Sequence, residues 1–375
     1  MIFDIIIFSF AAIYALLLIW LIWGWKRQSW FEPGSYEPNI KISVIIPARN
    51  EECNIENCLD ALLKQDYPKN LFEVIVVDDH SNDETVKKGS SFIKKNSAKN
   101  FRIVSLSDKK DYGFGKKQAL SAGIKSSNNE LIVTTDADCK MKPGWLSTMN
   151  SYFYHHKLQM LIMPVSVDDG NRFFYRLQSL EFVSIAGVTG ATAGHGNPIM
   201  CNGANLAFKR EAFENVEGYA GNLKYASGDD VFLLYKIKKA FPGKVHYLKN
   251  PGAIVTTYPS TGLNEFFNQR VRWFSKSQAF KDNTTIFAGI VVGVFNLLLA
   301  VSPLCLLFSD CRFWFLAWVV KIIIDFPFLL MVSSWFGKRH LMVFYPIAAL
   351  AYPFYVCLVF LLGLSGRFSW KGRRY

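Results

Sequence analysis

Residues 5–23, IIIFSFAAIYALLLIWLIW, form an uninterrupted apolar run close to the ~20 residues that a helix needs to cross a bilayer. Hydrocarbon offers the backbone no water to bond, so such a run is committed to helix. Trp20, Trp23 and Trp25 gather toward one end, where indoles favour the membrane–water interface. Lys26 and Arg27 follow the run instead of preceding it, and no small-residue cleavage site comes after; this favours a retained anchor over a secretory leader. Three more apolar stretches, about Thr284 to Phe308, Cys311 to Ser333 and Leu341 to Leu364, lie at the other end of the chain. The expected organisation is an anchor at 1–25, a linker at 26–40 containing FEPGSYEPN, a globular domain at 41–282, and a membrane region of about three helices with a basic tail at 283–375.

The basic residues beside the spans, Lys26, Arg27, Lys276 and Lys281, place the globular domain on the cytosolic side by the positive-inside rule. A net charge of +12 suits a domain lying against anionic lipid. No basic–aromatic motif of the nucleic-acid binders accompanies it, so a nucleic-acid partner is not expected. One conflict stands at the far end. Three single crossings would put the Lys338–Arg339–His340 loop inside and the tail WKGRRY outside, and both cannot satisfy the charge rule. Pro346 and Pro353 interrupt the last run and mark it as the one expected to be re-entrant or interfacial. The seven cysteines are odd in number and include no C-x-x-C, against a disulfide framework or a zinc site.

The middle of the chain alternates. ISVII is a β-branched strand at Ile42 to Ile46, ended by Pro47. A helix follows, with Ile55, Leu59, Leu62 and Leu63 on one face. FEVIVVDD is a second strand, FRIVSLS a third and ELIVTTDAD a fourth, each separated from the next by a helical stretch. Such alternation implies a parallel sheet with right-handed crossovers, and ligands of such sheets bind beyond the carboxyl ends of the strands. Asp79 and the pair Asp136/Asp138 fall there. A D-x-D is expected about once by chance in a chain of this kind, so position gives it meaning. Carboxylates gathered without a cationic partner resist burial, and a divalent metal commonly resolves the conflict. Oxygen ligands favour Mg2+ or Mn2+ shared with substrate phosphates. Neither a P-loop nor a dinucleotide glycine fingerprint is present.

Two further groups stand out. Asp229 and Asp230 precede an apolar helical stretch; the plain alternative is an N-cap, and the chemical one is a base separate from the metal ligands. Gln269, Arg272 and Trp273 fall at i, i+3 and i+4 and share a helix face, offering a guanidinium for a pyrophosphate and an indole for stacking. The same segment also reads as an interfacial amphipathic helix with Phe266, Phe267 and Phe274 in lipid. Arg172 to Phe182 is a second such candidate, after a turn at Asp168–Asp169. Lys321 and Asp325, one turn apart in a span, would suit a transporter but fit better as a self-neutralising pair. His80 beside Asp79 would suit a metal-dependent phosphohydrolase, yet a histidine there fits a turn.

Taken in order, Asp79, Asp136-x-Asp138, Asp229-Asp230 and Gln269-x-x-Arg272-Trp273 resemble the signature of the family 2 glycosyltransferases of GT-A fold, which include cellulose and hyaluronan synthases and, more distantly, ceramide glucosyltransferase. The resemblance covers about Lys41 to Ser277. It implies an α/β, Rossmann-like, mostly parallel sheet in a cytosolic domain, with an N-terminal transmembrane helix and a C-terminal transmembrane region. It also implies that Pro47, Glu51 and Asp79 border the nucleoside of a nucleotide sugar, a UDP-sugar being expected, with Lys116 or Lys117 nearby. Asp136 would contact the nucleotide sugar, and Asp138 would hold the metal. Asp230 would be the catalytic base, with Asp229 where the family more often has Glu. Gln269, Arg272 and Trp273 would bind diphosphate and acceptor, and Asn202 and Gly203 would lie on the acceptor side. The expected function is a metal-dependent, inverting glycosyltransferase in a membrane, the bacterial inner membrane for choice, acting on a lipid or lipid-linked glycan of the cell envelope. A processive polysaccharide synthase is the alternative; such synthases usually carry more membrane helices than the about four expected here.

Overall fold

The computed structural model describes residues 2–34, 37–107, 114–221, 228–275, 282–307 and 314–364, with short pieces at 369–371 and 373–374; Lys276, Lys281, Cys311 and part of the basic tail lie outside them. Helices α1–α12 and strands β1–β10 are numbered in chain order. The chain forms two compact units: a sheet unit of Gln28–Val167 and Gly196–Tyr258, and a helical unit of Met1–Arg27, Asp168–His195 and Pro259–Tyr375.

In the sheet unit, β1 (Ile42–Ala48), β2 (Phe72–Asp78), β3 (Phe101–Ser105) and β4 (Leu131–Thr134) lie parallel in the order β3-β2-β1-β4. Helices α2 (Ile55–Leu63), α3 (Thr85–Lys95) and α4 (Lys116–Ser126) connect them. β2 and β4 are almost wholly buried, as strands covered on both faces must be. Beyond β4 the sheet turns mixed. β8 (Leu206–Lys209) runs antiparallel to β4 and to β6 (Met160–Ile162), and β9 (Val245–Tyr247) pairs parallel with β6. A second sheet of β5 (Lys140–Met141), β10 (Val255–Thr257) and β7 (Val165–Val167) sits in the same unit, with α5 (Trp145–His156), α7 (Arg210–Asn215) and α8 (Asp229–Ala240).

Pro47 does not end β1, as its sequence suggests, but lies within it, opposite Val77. The reason is register. Ile45 accepts from Thr135 N on the β4 side and Ala48 from Asp79 N on the β2 side, so Pro47 faces β4, whose pairing has already stopped at Thr134. A residue without an N–H costs no ladder bond there. Helix α4 lies close on this sheet: a Cβ at Gly123 would come within 2.5 Å of Ile45 Cγ2 and 2.9 Å of Val77 Cγ2. Only glycine permits that approach, which seats α4 against β1 and β2.

The helical unit consists of α1 (Ile2–Arg27), α6 (Phe173–Gly194), α9 (Leu263–Ser275), α10 (Asn283–Val301), α11 (Trp314–Trp335) and α12 (Tyr345–Leu364). Among the described residues four helical segments, Ile2–Arg27, Asn283–Cys305, Trp314–Trp335 and Arg339–Leu364, are long and apolar enough to cross a membrane. α1 packs on α6, α10 and α11, and α12 on α9 and α10. The last apolar run, although it carries two prolines, forms one 20-residue helix, α12, with Pro346 in its first turn, where the missing N–H costs nothing, and Pro353 buried within it. The helix expected at Arg172 to Phe182 runs on to Gly194 and is buried on one side along its length, so it is a member of the bundle.

Lys321 Nζ lies 2.6 Å from Asp325 Oδ2, and Tyr14 donates to Asp325 Oδ1 at 2.7 Å; the pair neutralises itself and ties α11 to α1. Asp169 accepts from Lys338 at 3.0 Å and pairs with His340 at 2.6 Å. Burial alone would raise the Asp169 carboxyl, but these two partners outweigh it and hold it below its ordinary range. A carboxylate depressed in the folded state stabilises above its unfolded pKa and loses that contribution as pH falls through the folded value. Asp169→Asn should therefore cost about 0.5–1 kcal/mol of stability at neutral pH, read as a lower melting temperature in detergent, and the gap from wild type should close toward about pH 3. A gap unchanged in acid would show that the pairing is not its source.

Candidate functional site

The strand order reverses beside β1, which places a crevice at the carboxyl ends of β1, β2 and β4. Asp79, only 2% exposed, lies just past β2. Its carboxylate accepts from Gly115 N at 3.1 and 3.2 Å, the residue that opens α4, and His80 Nδ1 lies 3.2 Å away. Arg49 donates to the carbonyls of Asp79 and His80 at 2.7 and 2.6 Å. Beside them, Pro47 is half-buried and Glu51 accepts from Asn54 Nδ2 at 2.8 Å. The turn after β2 is thus locked to the turn after β1.

The first residue of α4, Lys116, extends its ammonium to 2.5 Å from Asp136 Oδ1, just past β4. Asp229 and Asp230 act on it too. Desolvation alone would lower the Lys116 ammonium, but Asp136, Asp229 and Asp230 overcome that and push it up, so it stays charged. The carboxylates were expected to lack a cationic partner; Lys116 supplies one, through a contact that no local pattern announces. Lys117 is buried with its ammonium 5.4 Å from the ring of Phe232.

Gly203 joins the pieces. Its N–H donates to Asp230 Oδ2 at 3.1 Å and its carbonyl accepts from Thr134 Oγ1 at 2.7 Å. A Cβ there would lie 3.4 Å from Asp229 Oδ2 and 3.7 Å from Lys116 Nζ, so Gly203 lines the space between them. Asn202 Oδ1 accepts from Ala204 N at 3.0 Å. Buried Asn205 pins the segment, accepting from Trp145 Nε1 at 3.0 Å and donating to Pro164 O and Ala253 O at 2.7 and 2.8 Å. Gly228, at φ +88°, is the N-cap of α8, so Asp229 and Asp230 are not caps. They occupy the first turn, where the helix dipole favours negative charge. Tyr219, which the sequence did not single out, is buried here; burial, then Asp229 and Asp230, push its phenol well up.

Asp138 Oδ2 accepts from Thr257 Oγ1 of β10 at 3.0 Å. The nearby thiols of Cys58 and Cys139 are pushed up, first by burial and then by Asp138 and Asp136. Among the described residues no three His, Cys, Asp or Glu side chains converge as a cage. A single accessible carboxylate fits Mg2+ or Mn2+, which retain waters and take phosphate oxygens; it does not fit zinc.

In the helical unit, α9 carries Gln269, Arg272 and Trp273. Between them Arg270, 3% exposed, pairs with Glu181 of α6, bonds Gln269 Oε1, and lies 4.0 Å over Phe266 and 4.7 Å over Trp273. Tyr355 donates to Glu181 Oε1 at 2.5 Å, and Trp273 meets Phe182 edge-on at 5.6 Å. Phe266 packs on Phe174 at 5.3 Å and Phe274 on Phe360 at 5.6 Å, so these two rings meet α6 and α12.

Lys116→Met would leave Asp136, Asp229 and Asp230 facing one another. The Lys116 and Asp136 side chains are 19% and 34% exposed, so screening should hold the cost to about 1–2 kcal/mol, below that of a fully buried pair. Gly203→Ala, whose methyl finds only ordinary contact, should stay within about 0.5 kcal/mol of wild type. Thermal unfolding in detergent checks both, and a reversed order would refute the arrangement.

Residues 43–217 match glycosyl transferase family 2, and residues 131–364 match glycosyl transferase family group 2. Among curated proteins, the chain is 36% identical over 105 residues to glycosyltransferase AglE of Haloferax volcanii, covering 28% of this chain and 33% of that one. It is 27% identical over 236 residues to the poly-beta-1,6-N-acetyl-D-glucosamine synthase of Staphylococcus epidermidis, covering 62% and 53%. The matches span about a third to a half of the length of these curated relatives. The fold is that of the mannosyltransferase PcManGT from Pyrobaculum calidifontis, solved in complex with GDP-Man and Mn2+, with a TM-score of 0.61 at 19% identity over 94% of this chain and 97% of that one. With a sequence match over more than half its length and a GT-A sheet beneath it, the chain belongs to the family 2 glycosyltransferases.

Proposed function

We propose that this protein transfers a sugar, with inversion, from a nucleotide sugar to a hydroxyl of a lipid or lipid-linked acceptor at the cytosolic face of a membrane. The observation that carries the reading is the convergence of Asp136, Asp229, Asp230 and Lys116 around Gly203 at the carboxyl ends of the parallel strands. The four apolar segments support a membrane setting and hence a membrane-borne acceptor. A nucleotide sugar is also what the solved relative of this fold holds.

Pro47, Glu51 and Asp79 border the nucleoside in this reading, and Asp136, braced by Lys116, orients the donor sugar. Asp138 would hold Mg2+ or Mn2+, which supplies charge neutralisation for the departing diphosphate. Asp230, fixed by the Gly203 N–H, takes the proton of the acceptor hydroxyl. As the new C–O bond forms on the face opposite the diphosphate, the bond to the diphosphate breaks, and the anomeric centre inverts without a covalent sugar intermediate. Asp229, packed against the same glycine, places Asp230 and adds to the local negative charge. Asn202 and Gly203 line the acceptor side, and Gln269, Arg272 and Trp273 keep the diphosphate and acceptor roles that the resemblance implies.

A processive polysaccharide synthase is the second reading, favoured by the 236-residue match to such an enzyme. Both are tested by nucleotide release from a panel of UDP- and GDP-sugars, using detergent-purified protein with Mg2+ or Mn2+ and a lipid extract. One donor should be consumed, and Asp230→Asn should lower kcat by about 10²–10⁴ while leaving donor binding in place. Mass spectrometry of the product separates one sugar on a lipid from a polymer. Failure to bind any nucleotide sugar by calorimetry would sink both.

A further inference from the structure

The helical unit contains a cavity of about 450 Å³, within the ~300–1,000 Å³ of sites that hold small ligands. Most of its wall is hydrocarbon or ring: Leu17 and Leu21 of α1, Val188 of α6, Phe328 and Leu329 of α11, and Ala348 of α12 are examples. Small alanines on one side of α12, Ala348, Ala349 and Ala351, leave much of the room. Polar groups also reach the wall, but the structure spends them internally. Asp325 is engaged by Lys321 and Tyr14. Glu181 is engaged by Arg270 and Tyr355. Gln178 exchanges two bonds of 2.9 Å with the backbone of Ser260, and Ser184 donates to Glu181 O at 2.7 Å.

This distinguishes the possible occupants. A saccharide would bring many hydroxyls, each needing a partner once out of water, and this wall has committed the carboxylates of Asp325 and Glu181, the amide of Gln178 and the hydroxyls of Tyr14, Ser184, Tyr345 and Tyr355 to partners within the unit. A hydrocarbon chain needs none. The outer faces of the same helices are apolar too, with Phe287, Ile290, Ile323, Leu350 and Leu361 among the exposed side chains, so lipid chains are the medium around the unit.

We infer that this cavity binds one hydrocarbon chain of a membrane lipid, the tail of the acceptor. The assignment of that lipid as acceptor rests on the transferase reading above; the binding of the chain does not.

The test uses the full chain in nanodiscs, a diazirine-bearing fatty alcohol as probe, and mass spectrometry of the labelled peptides, with no sugar donor present. Labelling should fall on wall positions of α6, α11 and α12. Filling the cavity with Ala348→Phe, or narrowing it with Ala351→Trp, should lower that labelling by about tenfold. Leu350→Phe, on the outer face of α12 and 52% exposed, should not change it. Unlabelled straight-chain and isoprenoid alcohols compete in separate arms, and displacement by either supports the proposal and names the source of the chain. Labels confined to outward positions, or equal labelling in both cavity variants while they elute and melt like wild type, would overturn it. So would protection of the wall by an oligosaccharide but by neither alcohol. Because the probe needs no turnover, a protein that labels but transfers no sugar would condemn the transferase reading alone.

Discussion

One ammonium group among three carboxylates organises the sheet unit. Lys116 meets Asp136 directly and feels Asp229 and Asp230, and the four groups arrive on three elements: α4, the end of β4 and the start of α8. Without the cation, negative charges at this density would favour either protonation or separation. With it they can stay ionised and close, provided the backbone brings them there. That requirement explains the tight seat of α4 at Gly123 and the left-handed turn at Gly228.

The helical unit solves a related problem in the opposite medium. Apolar helices among apolar chains have little to choose between one register and the next, because lipid competes equally for their side chains. Lys321–Asp325–Tyr14 and Arg270–Glu181–Tyr355 each span at least two helices. Either network is worth having only in one alignment, since sliding a helix by a turn would strand a charge in hydrocarbon. These groups fix position, and the same commitment ties up Asp325, Glu181, Tyr14 and Tyr355 at the wall of the nearby cavity.

The parallel half of the sheet was legible because its strands are β-branched runs separated by amphipathic helices, a pattern set by neighbours in sequence. The mixed half was not. β6, β8, β9 and the small second sheet have two to four residues each, too few for periodicity to register. In the site, the acidic pairs could be found from the strand ends and the helix start. Lys116 as their counter-ion, Tyr219 beside Asp229, and Thr257 on Asp138 could not, because those contacts join distant stretches. α9 shows the limit from another side: reading its faces at helical spacing picked Gln269, Arg272 and Trp273 and passed over Arg270, whose burial depends on Glu181 of α6. Pro47 misled in the same way, since it is harmless only where a neighbouring strand ends.

The two units are interleaved along the chain: the sheet is entered, left for α6, re-entered through β8 and β9, and left again. On a ribosome adding ~5–20 residues per second, β4 is complete seconds before its antiparallel partner β8 exists, and α6 emerges in between. For that interval the nascent sheet has an open, apolar edge of the sort that invites wrong pairing. α1, made first, would already tether it to the membrane. Closure of the edge at β4 thus waits until α6 and then β8 have been made; a fragment cut anywhere within residues 28–258 would keep part of each unit and complete neither.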